Sequence, residues 1–222
     1  MCTYGCLEFV RSHLRSEDVR DRTVLEVGAL DVNGSVRPLV GAFEPASYTG
    51  VDVEAGPGVD EICDATKLVE RFGKEKFDLL ISTELLEHVR DWRGVISQFK
   101  HILQPGGLLL ITTRSRGFPY HAYPFDFWRF EPADMNAIFS DFEIEVIESD
   151  ADSPGVFIKA RKPKRFVENE TRPLALFSII TKRRALEVSD AQIAAFQRRE
   201  KRRHALRGPE RFVRKMRNKL RS

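Results

Sequence analysis

FDLLISTELLEHVRDWRGVISQFKHILQPGGLLLITT, residues 77–113, settles the class of fold. Its two ends, Phe77–Ser82 and Leu108–Thr113, are short apolar runs without alternation, the pattern of strands covered on both faces. Between them Val95, Ile96, Phe99, Ile102 and Leu103 recur with helical spacing and share one face. Asp91 is placed to cap that helix, and Gln104-Pro105-Gly106-Gly107 stops it. Strand, helix and strand of these lengths make a βαβ unit, with parallel strands and a right-handed crossover.

The same grammar extends outward. Upstream, Thr23–Val27, Ser47–Val53 and Val59–Cys63 read as strands, and Thr66–Phe72 as a short helix. Downstream, Glu131–Phe139 reads as a helix with Pro132 at a tolerated early position. Phe142–Glu148 alternates apolar and acidic residues, as a half-buried strand does, and Gly155–Ala160 is its hairpin partner. The expected body, residues 1–160, is an α/β domain with a mostly parallel sheet and an antiparallel end.

Charge divides the chain at the same place. Residues 1–160 hold 16 Lys+Arg and 27 Asp+Glu, a net of −11; residues 161–222 hold 20 and 6, a net of +14. The second stretch is expected to be a basic helical extension. It carries a capping-box start at Ser189–Gln192 and a later stripe of Phe212, Val213, Met216 and Leu220 among basic residues. Such a stripe suits an anionic membrane surface, a polyanion or the acidic surface of the same or another subunit. Apolar runs such as Leu174–Ile180 are far shorter than a membrane span. No secretory signal is visible at Met1–Val10, and three cysteines (Cys2, Cys6, Cys63) cannot all pair. These features fit a reduced, cytoplasmic protein, peripheral to a membrane if the tail binds one.

The strand ends carry the chemistry. β-strand Thr23–Val27 leads into Gly28, but the dinucleotide pattern fails because Leu30 and Asn33 stand where it needs glycine. Glu26 just before the turn repels phosphate and suits a cationic ligand bearing an amine. Asp52, at the second strand end, can accept both hydroxyls of a ribose. Asp64 and Ala65 follow the third, where an exocyclic amino group can be received. Ser82-Thr83-Glu84 and Leu85–Val89 follow the fourth. All are expected at one edge of the sheet, where open α/β sheets bind ligands.

Val24–Gly28, Gly50–Asp52, Asp64-Ala65, Phe77–Val89 and Leu103–Gly107, in this order and spacing, resemble class I S-adenosylmethionine-dependent methyltransferases over about residues 20–160. The resemblance implies a Rossmann-like seven-stranded sheet with an antiparallel last strand. It implies S-adenosyl-L-methionine as cofactor, with S-adenosyl-L-homocysteine as product. It places Glu26, Gly28 and Ala29 by the methionine part, Asp52 at the ribose, Asp64 and Ala65 at the adenine, and Thr83 and His88 near the sulfonium. Asp31-Val32-Asn33 departs from the family's usual glycine-rich continuation.

The acceptor is expected in the loop after the fifth strand, which runs from Arg114 to Phe130 and is dense in aromatic, imidazole and charged groups. Ser82-Thr83-Glu84-Leu85 replaces the motif by which related enzymes methylate base nitrogens, so a nucleobase amine is disfavoured. A hydroxyl acceptor gains from a base near neutral pKa. His121 is that base in this reading, Asp126 orients it or the substrate, and His88 is the second candidate. The loop resembles those of methyltransferases in glycan and natural-product pathways, which implies a sugar hydroxyl. No metal site is assigned. RNA methylation guided by the tail, and a non-catalytic cofactor-binding scaffold, are the rival readings.

Overall fold

The computed structural model describes residues 3–121 and 125–203. The chain opens with α1 (Tyr4–His13) and the short α2 (Ser16–Val19). It enters the sheet at β1 (Thr23–Val27) and passes through α3 (Arg37–Gly41) to β2 (Ser47–Asp52) and β3 (Glu61–Ile62). A helical turn, Ala65–Lys67, leads into α4 (Leu68–Phe72) and β4 (Phe77–Thr83). A second turn, Leu86–His88, leads into α5 (Trp92–Ile102) and β5 (Leu103–Arg114). Then follow β6 (Trp128–Arg129), α6 (Pro132–Ile138), β7 (Glu143–Ser149) and β8 (Gly155–Arg161), and the small strands β9 (Leu176–Ser178) and β10 (Arg183–Ala185). Residues 190–203 are helical.

Among the described residues, seven strands form the main sheet in the order β3-β2-β1-β4-β5-β8-β7. β1 to β5 run parallel, and β8 lies antiparallel between β5 and β7. The chain turns from one direction of winding to the other between β1 and β4. That switch opens a crevice at the carboxyl edge. β1 sits beside it, with Leu25 paired to Thr49 on one side and Leu80 on the other.

Both faces are covered, which explains the unbroken apolar strands. Leu25, Val27, Leu80 and Ile111 pack with α4, α5 and the residues Phe127 to Phe130; Val24, Leu79 and Ile81 pack under α1 to α3. α5 forms as expected. Asp91 accepts the Gly94 amide at 3.0 Å, and Val95, Ile96, Phe99 and Ile102 are buried. Truncating one such leucine or isoleucine to alanine would cost about 2–5 kcal/mol.

The charge boundary near residue 160 is not a packing boundary. β9 and β10 join β6 in a second, three-stranded sheet. Leu176, Ile180, Val188 and Phe196 are buried in the same core as α5. Buried Lys100 ties the two stretches together, donating to the Ile138 carbonyl and Asp141 at 2.7 Å and to Asn169 at 2.8 Å. The apolar side chains of Leu174–Ile180 and the helix at 190–203 cover a face the body would otherwise leave wet. The capping box starts that helix as expected, Ser189 and Gln192 exchanging bonds of 2.8 and 3.3 Å. The stripe at Phe212, Val213, Met216 and Leu220, like Cys2, lies outside the described residues. No described helix is long and apolar enough to cross a membrane.

Candidate cofactor and acceptor site

The carboxyl edge holds a cleft of about 340 Å³, lined among others by Gly28, Leu30, Asp52, Asp64, Ala65, Leu85 and His88. Its floor is set by backbone. The amides of Gly28 and Ala29 both donate to the Val51 carbonyl, at 2.9 and 3.0 Å, pinning the β1 turn to β2. Gly28 has φ of +82°, and a Cβ there would press on Leu85 at 3.2 Å, so the turn requires glycine. Asp52 is fixed at the mouth by the amides of Leu30 and Glu54, both at 3.2 Å, and Asp64 caps the next turn through the Thr66 amide at 2.8 Å.

Gly28, Asp52, Asp64, Ala65 and His88 therefore line the cleft, as the strand-end reading expects. Glu26, Ala29 and Thr83 do not line it and are buried behind it. Glu26 points to the opposite core, where its carboxyl accepts the Tyr48 hydroxyl at 2.7 Å beneath Arg37. Burial pushes its pKa up to about 7, against the Tyr48 hydrogen bond and the Arg37 charge. Among the described residues the lining carries Asp52, Glu54, Asp64, Glu84 and Asp91 but no lysine or arginine. That donor set fits a cationic nucleoside with a free diol and disfavours a pyrophosphate.

Beside the cleft, the helical turn after β4 meets the loop after β5. The Phe127 amide donates to the Glu87 carbonyl at 2.8 Å, and His88 Nδ1 contacts the Phe125 carbonyl at 2.5 Å. A carbonyl only accepts, so Nδ1 carries the hydrogen and neutral His88 presents a lone pair at Nε2. His121 behaves alike: its Nδ1 and its amide both lie 3.0 Å from Asp126 Oδ2. The two rings pack edge to face, centroids 4.8 Å apart. Thus the structure brings His121, Asp126 and His88 together.

Asp126 is fully buried and held by both guanidinium nitrogens of buried Arg129, at 2.5 and 2.7 Å. Burial alone would raise its pKa, but the bonds from Arg129 and His121 outweigh it and hold the carboxyl below its usual range. Phe127, Trp128 and Phe130 are core. Phe118 packs edge to face on His121 at 4.8 Å.

Two groups that the sequence reading left without a role stand out. Glu87 is fully buried between the imidazoles. Its Oε2 accepts the Thr113 hydroxyl at 2.8 Å, while Oε1 lies 3.8 Å from His121 Nε2 and 4.0 Å from His88 Nε2. Glu84, at φ +53°, forms a buried ion pair with Arg114, which also reaches Asp150 at 3.5 Å. Burial and the nearby Glu87 charge raise the Glu84 pKa. An acidic residue directly before a histidine at a strand end was the available signal for Glu87.

Sheet order, strand-end cleft and acidic lining together define a class I S-adenosylmethionine-dependent methyltransferase. A family model described as "Methyltransferase domain" matches residues 8–147, and the chain belongs to that family. It is 28% identical over 115 residues to the ubiquinone biosynthesis O-methyltransferase of Serratia proteamaculans, covering 46% of each chain. The chain spans less than half the length of the curated relatives it matches. Among solved structures, an S-adenosylmethionine-dependent methyltransferase from Mesorhizobium loti is similar in fold. Its TM-score is 0.53 at 20% identity, over 70% of this chain and 96% of that one. So is the 1,6-didemethyltoxoflavin-N1-methyltransferase of Burkholderia thailandensis, solved with its substrate and S-adenosylhomocysteine. There the TM-score is 0.55 at 18% identity, over 71% and 76% of the two chains.

Proposed function

We propose that this protein is an O-methyltransferase that moves the methyl group of S-adenosylmethionine to a hydroxyl of a small molecule, with a sugar or glycan-linked hydroxyl as the acceptor class. The observation that carries the reading is the position of the His88–His121–Glu87 cluster. His88 lines the cleft, and both imidazoles turn Nε2 toward Glu87. Bound there, the cofactor supplies an electrophilic methyl and a good leaving group.

The chain's residues do the rest. Asp52 and Asp64 face the ribose and the adenine amine. His121, oriented by Asp126, and His88 meet the acceptor hydroxyl, and the cluster draws off its proton as the oxygen attacks. Phe118 beside His121 offers an aromatic face to the acceptor ring. With the cofactor bound, that oxygen would gain the methyl and the electron pair of the broken bond would stay on sulfur. Alignment and exclusion of water supply most of the acceleration. The names of the curated relatives support transfer to oxygen over transfer to nitrogen.

The test is methyl transfer from labelled cofactor to panels of sugar, glycan and phenolic acceptors, with product analysis. The expected result is an O-methylated sugar, lost in His121→Ala while cofactor affinity is retained. Full turnover in that variant, or methyl on nitrogen, would overturn the assignment.

A further inference from the structure

Three acceptor atoms converge around His88, which lines the cleft: Glu87 Oε1, His88 Nε2 and His121 Nε2. All lie within 4.8 Å of one another. Each belongs to a side chain whose other polar atom is already held. Glu87 Oε2 takes the Thr113 hydroxyl, His88 Nδ1 donates to the Phe125 carbonyl, and His121 Nδ1 to Asp126. Glu87 Oε1 and His88 Nε2 are buried with no hydrogen-bond partner among the described residues. A buried carboxylate oxygen without a donor is costly, so the arrangement calls for something positive or hydrogen-bearing between these atoms. Asp126 is already matched by Arg129, and Glu84 by Arg114. Glu87 alone faces the gap.

We propose that Glu87, His88 and His121 form a binding site for a divalent cation of the zinc class, open toward the acceptor. Two neutral imidazoles and one carboxylate favour zinc or its first-row neighbours over magnesium, which prefers an all-oxygen shell. Three protein ligands with a vacant position are the composition of a catalytic rather than a structural site. The groups behind the ligands match what such sites use to fix imidazole orientation, a backbone carbonyl on one ring and a carboxylate on the other. The inference deepens the hydroxyl-acceptor reading. A cation seated here would hold the acceptor oxygen and ease loss of its proton to solvent, taking over the base's task from the imidazoles, which then serve as ligands. Its binding, however, stands or falls without any methyl transfer.

The test is calorimetric titration of chelator-treated full-length protein with Zn²⁺, Mn²⁺ and Mg²⁺, alongside visible absorption with Co²⁺. One Zn²⁺ per chain is expected, with cobalt bands characteristic of nitrogen ligation and a rise in melting temperature. Affinity should fall about 100-fold in Glu87→Gln and in His121→Ala, and about 10-fold in Asp126→Asn, whose side chain only orients a ligand. His121 is partly exposed, so its variant should keep the fold. His101→Ala, paired with Glu168 elsewhere, should bind as wild type. Absence of one-to-one Zn²⁺ binding, stronger binding of Mg²⁺, or unchanged affinity in folded His121→Ala would overturn the site. One-to-one Zn²⁺ binding together with methyl transfer only to nitrogen would uphold the site and overturn the O-methyltransferase reading instead.

Discussion

On the donor side of the edge, Asp52 is fixed by two backbone amides, those of Leu30 and Glu54. On the acceptor side, Asp126 is fixed by two side chains, Arg129 and His121. The first arrangement is built from backbone at two strand ends, Leu30 standing 22 residues before Asp52. The second is built from side chains three and five residues apart in one loop, which the Phe127 amide ties to the turn after β4 at the Glu87 carbonyl. Donor geometry is therefore backbone geometry, robust to side-chain change except at its glycines. Acceptor geometry rests on buried charges whose loss is expensive.

Three experiments can break or sharpen this contrast. The largest effect is expected at Arg129. Arg129→Ala leaves Asp126 buried without its partner and should lower unfolding free energy by about 3–5 kcal/mol. Chemical denaturation checks it; an unchanged midpoint would show that the acceptor loop does not depend on the pair.

The second effect concerns pH. Glu26 ionises near 4.5 in an unfolded chain and near 7 in the folded one. Below pH 4.5 both states keep the proton and the contribution is complete. As pH rises toward 7 the unfolded chain loses its proton first, and stability falls by roughly 3 kcal/mol before levelling. Glu26→Gln should flatten that slope between pH 4.5 and 7. A slope retained in the variant would assign it to another group.

The third probes the donor floor. A Cβ on Gly50 would meet the Gly58 carbonyl oxygen at 2.2 Å, a backbone atom that cannot swing away. Gly50→Ala should cost about 2 kcal/mol and weaken cofactor binding with it. Differential scanning calorimetry with and without cofactor reads both; a variant as stable as wild type would mean the strand end is slack.

The contrast also explains what the sequence could disclose. The βαβ unit, α5 and its Asp91 cap, the β7–β8 hairpin and the placing of Gly28, Asp52 and Asp64 at strand ends beside the cleft follow from local pattern, and these were legible. The pairing of His121 with Asp126 was readable because the two are five residues apart. Glu87 acquires its role from Thr113 and His121, partners 26 and 34 positions on, and locally only the adjacent His88 marks it. Glu26 has the right position but turns toward Tyr48, because alternate residues of a strand face opposite sides. The packing of residues 161–203 was hidden by their charge. Their few apolar side chains do the covering while the basic ones, Arg161 and Lys162 apart, face water.

The most direct measurement is a calorimetric titration of S-adenosylhomocysteine into the full-length protein and into Asp52→Asn. One site per chain is predicted for the wild type, with affinity about tenfold weaker once the Asp52 carboxylate, proposed to take the ribose, is neutralised. No heat at millimolar ligand, or identical binding by the two proteins, would contradict the placement of the nucleoside at this edge.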